Sequence, residues 1–217
     1  MRSARSLALV LLTGVAGAGE PDAGPPPDPR AGERQEMVDR YIAGEGIRDP
    51  ATLQAMRTVP RHEFVPPGLV GAAYETEIVR PREGMKILEV GTGSGYQAAV
   101  LAAAGARVYT MEIFAELATS ARRRLERLGY RATVRHGDGN LGWPEEAPFD
   151  AIVVTAAASH VPPALVEQLR PGGRMVIPVG GLFGAQNLLQ VDKDASGVVR
   201  TRMLLPVAFV PMLSGLR

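Results

Sequence analysis

The chain of 217 residues contains no cysteine. Disulfides, thiolate nucleophiles and thiolate metal sites are therefore excluded, while the compartment stays open. Histidine is almost as scarce. His62, His136 and His160 are too scattered along the sequence to suggest a metal cluster, and no metal site is expected. Charge of one sign is also missing: the formal net charge is +1, so there is no basic footprint for nucleic acid. The longest apolar run, residues 7–18, is too short to span a bilayer, so no stable membrane association is expected. Arg2 and Arg5 precede that run and small residues (Ala16, Gly17, Ala18) close it, which is the anatomy of a secretory signal. The alternative is that the working chain opens at Met37. Residues 20–30 (EPDAGPPPDPR) form a Pro/Gly-rich linker without apolar periodicity, for which disorder is expected. The organisation expected is a signal-like segment and linker over 1–32 and one domain over 33–217.

What the chain does have is alternation. A helical pattern covers residues 33–45. Asp49 and Pro50 then read as N-cap and first-turn proline of a short helix that ends before Val59 and Pro60. From Lys86 onward, short apolar runs expected as strands (86–90, 107–111, 133–136, 151–154, 174–179) alternate with helical patterns. Residues 96–104 are a small-residue helix. Phe114, Leu117, Ala118, Ala121, Leu125 and Leu128 then recur on one helical face, opposite Arg122, Arg123 and Arg124, which read as a solvated face. A helix over 164–169 is expected to stop at Pro171-Gly172-Gly173. Late β-rich runs at 188–191 and 204–209 would complete a mostly parallel sheet of seven strands with helices on both faces, a Rossmann-like α/β fold.

The strongest local signal is Glu89-Val90-Gly91-Thr92-Gly93-Ser94-Gly95-Tyr96, directly after a strand and opening a helix. Glycines there let the backbone turn sharply and approach a ligand, and the helix N-terminus presents oriented N–H groups. A dinucleotide site would want G-x-G-x-x-G, but the third glycine comes one residue early. The E-x-G-x-G-x-G form fits the amino-acid part of S-adenosylmethionine, and nicotinamide dinucleotide is the second reading. Glu89, Gly91, Thr92, Gly93, Ser94 and Gly95 are thus candidate cofactor residues. Glu112 closes the next strand, about twenty residues past the first glycine, where an acid hydrogen-bonds ribose hydroxyls. Asp138 and Gly139, after the third strand, are candidates for the adenine end.

Several blocks carry a family resemblance. They are VPRHEFVP (59–66), LEVGTGSGYQAAVL (88–101), GDG (137–139), GW (142–143), APFDAIVVTA (147–156), QL (168–169), GGR (172–174), IPVG (177–180) and FVP (209–211). From 37 to 209 the chain resembles the protein-L-isoaspartate O-methyltransferases. The resemblance implies S-adenosyl-L-methionine as cofactor and isoaspartyl-containing proteins and peptides as partners. It also implies transfer of a methyl group to the free carboxylate of the damaged residue, which starts repair through a succinimide, in a cytoplasmic monomer. An exported, periplasmic location is the alternative if residues 1–18 act as a signal. Arg61, His62 and Tyr74 are the candidate acceptor-side residues, with a surface position as the plain alternative for His62. Trp143 reads as a packing anchor.

One stretch departs from the family. Between Tyr74 and Gly84 the chain runs almost directly into the first strand, where the family carries a glycine-containing loop, a Thr-Ile-Ser-Gln-Pro-like motif and a helix. The family's hydroxyl residue has no counterpart that aligns, so no catalytic residue is assigned, and Thr76 does not inherit the role. Loss of the helix is expected to uncover one sheet face and the cofactor cleft. A methyltransferase for another small acid, or a non-catalytic paralogue that binds cofactor or peptide, remain the alternatives.

Overall fold

A computed structural model describes residues 28, 30–44, 47–64, 81–181 and 184–215. The signal-like run, most of the linker, Tyr74 and most of the shortened stretch lie outside those residues. Helix α1 (Ala31–Met37) continues as a wider π-helical turn over Val38–Ala43. Helix α2 (Pro50–Thr58) starts as the sequence requires: the Asp49 carboxylate accepts from the Thr52 N–H at 2.9 Å, with Pro50 in the first turn. A 3-10 turn, Arg61–Phe64, follows.

The sheet then builds in alternation: β1 (Lys86–Val90), α3 (Tyr96–Ala103), β2 (Arg107–Glu112), α4 (Ala115–Arg127), β3 (Ala132–His136) and β4 (Phe149–Val154). Helix α5 (Pro163–Gln168), β5 (Leu169–Gly180), β6 (Gln186–Lys193) and β7 (Val199–Val207) complete it. The strand order is β3-β2-β1-β4-β5-β6-β7. The first five strands pair in parallel, and β6 and β7 are added antiparallel, as a meander. Helix α5 ends at Gln168, before Pro171-Gly172-Gly173 as expected, but those residues do not form a break before the next strand. These residues lie inside β5, where the pairing to β4 shifts register between Phe149 and Ala151, and Gly172 takes φ +77°. Turn-forming residues here make a bulge rather than a break. The last strand likewise begins earlier than its apolar run suggests. Arg200 and Arg202 are paired by backbone to Asp192 and Gln190 of β6, so ladder hydrogen bonds rather than side-chain burial extend it.

Burial divides the apolar residues between the two faces of the sheet. One cluster joins Val38, Met56, Val59 and Phe64 to Ala98, Leu101 and Leu125 and to Ile87, Ala151, Val176 and Leu188 of the strands. The other packs Leu88, Ile152, Met175 and Ile177 with Leu165 of α5. Ala151, Val176 and Leu188, on one face of the sheet, are buried in the same core as the N-terminal helices. No described helix is long and apolar enough to cross a membrane.

Candidate active site

The parallel strands bring their carboxyl ends together where chain order reverses, between β1 and β4, the place where open α/β sheets hold ligands. The glycine loop leaves β1 there. Gly91, Gly93 and Gly95 all have positive φ, at +98°, +52° and +89°. A Cβ at Gly91 would collide with the Thr155 side chain, so glycine is required for packing as well as for φ. At Gly93 the corresponding space is open and faces the cleft.

The loop is held from below by buried polar groups. Glu89 is fully buried, and its carboxylate accepts from the Thr110 hydroxyl at 2.5 Å. That hydroxyl lies 2.7 Å from the Thr92 hydroxyl, which completes the chain as donor to Thr110. Thr155 closes the loop's start by donating from Oγ1 to the Gly91 carbonyl at 2.7 Å. Sequence reading assigned Glu89 to the cofactor itself; the structure places it beneath the loop, where it orients Thr92. Thr110 and Thr155 were not singled out, since a threonine inside an apolar strand carries no signal of what it faces.

Glu112 stands beside the loop at the end of β2. Its Oε2 accepts from the Gly93 N–H at 2.8 Å and its Oε1 from the Phe114 N–H at 3.1 Å. Each carboxylate oxygen retains a further lone pair, so a hydroxyl donor can still be received. Asp138 follows β3. Its Oδ1 accepts from the Asn140 backbone and side-chain nitrogens, at 2.9 and 3.0 Å, and its Oδ2 from the Gly215 N–H at 2.8 Å. Partial burial opposes ionisation, yet these donors hold the carboxyl below its ordinary value. Gly139 presses against Val90, so a Cβ has no room there.

The cleft lined by Gly91, Gly93, Glu112, Gly139 and Thr155 has a volume of about 220 Å³. Its opposite wall is the chain's last segment, Val210 to Leu213, a contribution that sequence reading missed. Gln186 fixes that segment by accepting from the Phe209 N–H at 2.6 Å and donating to its carbonyl at 3.1 Å. Ala157 bonds it on both sides, to the Val210 carbonyl and the Met212 N–H, and Asn140 donates to the Leu213 carbonyl. A larger, open hollow of about 690 Å³ lies at the other ends of β2 and β3, away from every residue just described.

The acceptor-side candidates are distributed differently. Arg61 is buried to 9% exposure, and its guanidinium lies 5.5 Å from the ring centre of Tyr96, the first residue of α3. Burial pulls its pKa below the ordinary value, opposed by the Tyr96 contact. Phe64 meets the same ring edge-on at 5.7 Å. The Arg61–Phe64 turn is thereby docked on the helix that the glycine loop opens. His62 is partly exposed and 4.0 Å from its neighbour Glu63. Tyr74 lies outside the described residues. His160 gains a partner that the sequence did not reveal, Ser159 Oγ at 3.0 Å, while His136 reaches the Ile113 carbonyl. Trp143 packs edge-on to Tyr109, as an anchor would.

The arginine run on α4 is not simply a solvated face. Arg122 donates to the Val134 carbonyl at 2.7 Å, and Arg124 donates to the Ser94 carbonyl at 2.8 Å, inside the glycine loop.

Residues 72–217 match the family model described as protein-L-isoaspartate(D-aspartate) O-methyltransferase. The chain belongs to that family. A protein-L-isoaspartate O-methyltransferase 2 of Syntrophobacter fumaroxidans is 44% identical over 246 aligned positions, which take in 99% of this chain and 98% of the relative. Another of the same name, from a Polaromonas species, is 49% identical over 195 positions, covering 80% and 92%. An alignment of 246 positions leaves part of the Syntrophobacter protein without counterpart in a chain of 217 residues. This isoaspartate methyltransferase-family member is therefore shorter than that relative within the aligned span. Among solved structures, a protein-L-isoaspartate O-methyltransferase superposes with TM-score 0.71 at 25% identity, covering 86% of this chain and 67% of its own. A Plasmodium falciparum relative, solved with S-adenosyl-L-homocysteine, shares the fold with TM-score 0.69 at 21% identity, covering 83% and 98%.

Proposed function

We propose that this protein transfers the methyl group of S-adenosyl-L-methionine to the free carboxylate of L-isoaspartyl residues in damaged proteins. The observation that carries the reading is the lock between Gly93 and Glu112, which sets a bare backbone and a carboxylate side by side on one wall of the cleft. Open space at the Gly93 Cβ position and the unused lone pairs of Glu112 fit a nucleoside with an amino-acid arm. Residues 91–95 would hold that arm, Glu112 the ribose, and Asp138 and Gly139 the adenine end. Arg61, His62 and Tyr74 are the acceptor-side residues in this reading. Arg61 serves by docking its turn against the Tyr96 ring.

When bound, the cofactor supplies an activated methyl on a sulfonium. An isoaspartyl residue presents a carboxylate that is ionised at neutral pH, an oxygen nucleophile that needs no base. The protein's task is then alignment in a site shielded from water. The methyl ester is a better leaving group than the acid, so the next backbone nitrogen closes a succinimide, and its hydrolysis returns some normal aspartate. Cofactor supply places this chemistry in the cytoplasm, and nothing in it calls for a nucleic acid or a second subunit.

The test is methyl transfer to paired peptides that differ only in an isoaspartyl or an aspartyl linkage, read by mass. A methyl ester on the isoaspartyl peptide alone is expected. Equal labelling of both peptides, or none with bound cofactor, would overturn the reading.

A further inference from the structure

A loop with glycines at 91, 93 and 95 does not hold its own shape, since each glycine reaches both signs of φ at little cost. Its start is fixed by Thr155 and by N–H bonds from Gly91 and Thr92 to the Met111 carbonyl, at 2.8 and 3.0 Å, and its middle by Glu112. Its end rests on α4. A Cβ at Gly95 would lie 3.3 Å from Leu125 Cγ and 3.4 Å from Ala121 Cβ, so this helix face passes directly under the loop. Arg124 stands on the same face, one turn from Ala121, and donates from Nη1 to the Ser94 carbonyl at 2.8 Å. Its neighbours are aimed elsewhere: Arg122 bonds the Val134 carbonyl at 2.7 Å, and Arg123 is exposed.

We infer that Arg124 is a positioning residue for the cofactor, holding the last turn of the glycine loop in its binding conformation through the Ser94 carbonyl. This rests on the cofactor reading above. The guanidinium is a charged donor in a fixed fork, and its bond to a carbonyl is stronger than a neutral one. Held in place before the cofactor arrives, the loop loses less freedom on binding, so the bond raises affinity without touching the ligand. Because Arg124 acts through the backbone, the sulfonium cofactor and its neutral product should feel its loss equally. A guanidinium acting on the site through space would treat them differently: its removal would favour the cation.

The experiment is calorimetric titration of the full chain with S-adenosylmethionine and with S-adenosylhomocysteine, for the unchanged protein and for Arg124→Met, Arg124→Lys and Arg123→Met. Arg124→Met is expected to raise both dissociation constants roughly tenfold, about 1.4 kcal/mol, and by the same factor. Arg123→Met should leave both unchanged. Arg124→Lys, which keeps a charged donor without the fork, should fall between, and it carries the test alone if Arg124→Met does not fold. A lowered melting temperature with unchanged dissociation constants would make Arg124 a brace of the fold only and overturn the inference. So would a product affinity that weakens while cofactor affinity improves. Failure of the unchanged protein to bind either ligand would instead overturn the cofactor reading, and the inference with it.

Discussion

The two walls of the cleft are made in different ways. The wall formed by the glycine loop and Glu112 is built from segments that follow one another in the chain, β1, loop, α3 and β2, and most of its bonds run among them, with Thr155 and Arg124 added from farther along. The wall formed by Val210 to Leu213 comes from the far end of the chain and is pinned, directly or at its flanks Phe209 and Gly215, by Gln186 of β6, Ala157 after β4, and Asn140 and Asp138 of the turn after β3. The acceptor side goes further in this direction. Its Arg61–Phe64 turn is attached to Tyr96 through the Arg61 guanidinium and the Phe64 ring, and the stretch that follows is the one expected to be short against the family. If the glycine loop and Glu112 hold the cofactor and the Arg61–Phe64 turn serves the acceptor, the two should be separable by experiment.

The largest effect tests that separation directly. Grafting a relative's residues into the short stretch between Tyr74 and Gly84 should raise single-turnover methyl transfer at least a hundredfold, about 2.7 kcal/mol of barrier. Alignment can supply roughly 7–11 kcal/mol in favourable cases, so such a gain is within reach of positioning alone. Cofactor affinity, measured by calorimetry on both proteins, should not change. Equal turnover in the two would show that the segment is dispensable.

Next in size is the open space at Gly93. Gly93→Val should abolish detectable cofactor binding because its branches enter the cleft. Backbone strain at φ +52° also contributes, typically about 1–3 kcal/mol of stability. Gly129 provides the comparison: it has φ +77° and open space around its Cβ position, and it lies outside the cleft. Gly129→Val should show a similar loss of melting temperature with cofactor binding intact. If both variants bind equally, the loop is not the cofactor wall.

Glu112→Ala should weaken cofactor binding by roughly 1.5–3 kcal/mol, the range for a hydrogen bond to a charged group. The variant also strips Gly93 and Phe114 of their acceptor. Glu112→Gln, which keeps one carbonyl oxygen, should lose less. An unchanged dissociation constant in the alanine variant would remove Glu112 from the site.

What the sequence disclosed follows the same division. Strand β1, the cap at Asp49, the glycine loop and Glu112 were legible because each is a local pattern: an apolar run, an Asp-Pro pair, a glycine spacing, an acid at a strand end. Gln186, Asn140, Thr110 and Thr155 were not. Their roles depend on which distant backbone group comes to face them, and a single polar residue in a strand or turn does not encode that. Arg124 was read as solvated along with Arg122 and Arg123, yet at three residues from Ala121 it lies on the flank of the apolar stripe. A long side chain can nevertheless reach from the flank of a helix to a neighbouring loop. Pro171-Gly172-Gly173 misled for the opposite reason, being a strong local signal that pairing with β4 absorbs as a bulge.

The smallest expected effect concerns the joint between the two walls. Asp138 stands between Gly137 and Gly139, which line the cleft after β3, and its Oδ2 receives the Gly215 N–H of the C-terminal segment. Its folded-state pKa is lowered: partial burial opposes ionisation, and the donors from Gly215 and Asn140 outweigh it. A carboxyl whose pKa is depressed by folding stabilises the folded chain fully above its unfolded value, about 3.9, and that contribution fades as pH falls through the lower folded value. Asp138→Asn should therefore lower the melting temperature modestly at neutral pH, and the gap to the unchanged protein should close in acid. The C-terminal segment should loosen along with it, seen as faster amide exchange at Met212 and Gly215, while exchange at Gly93 stays the same. A gap that widens in acid would show that this carboxyl is not held ionised by the fold. Faster exchange at Gly93 would show that the two walls are a single cooperative unit.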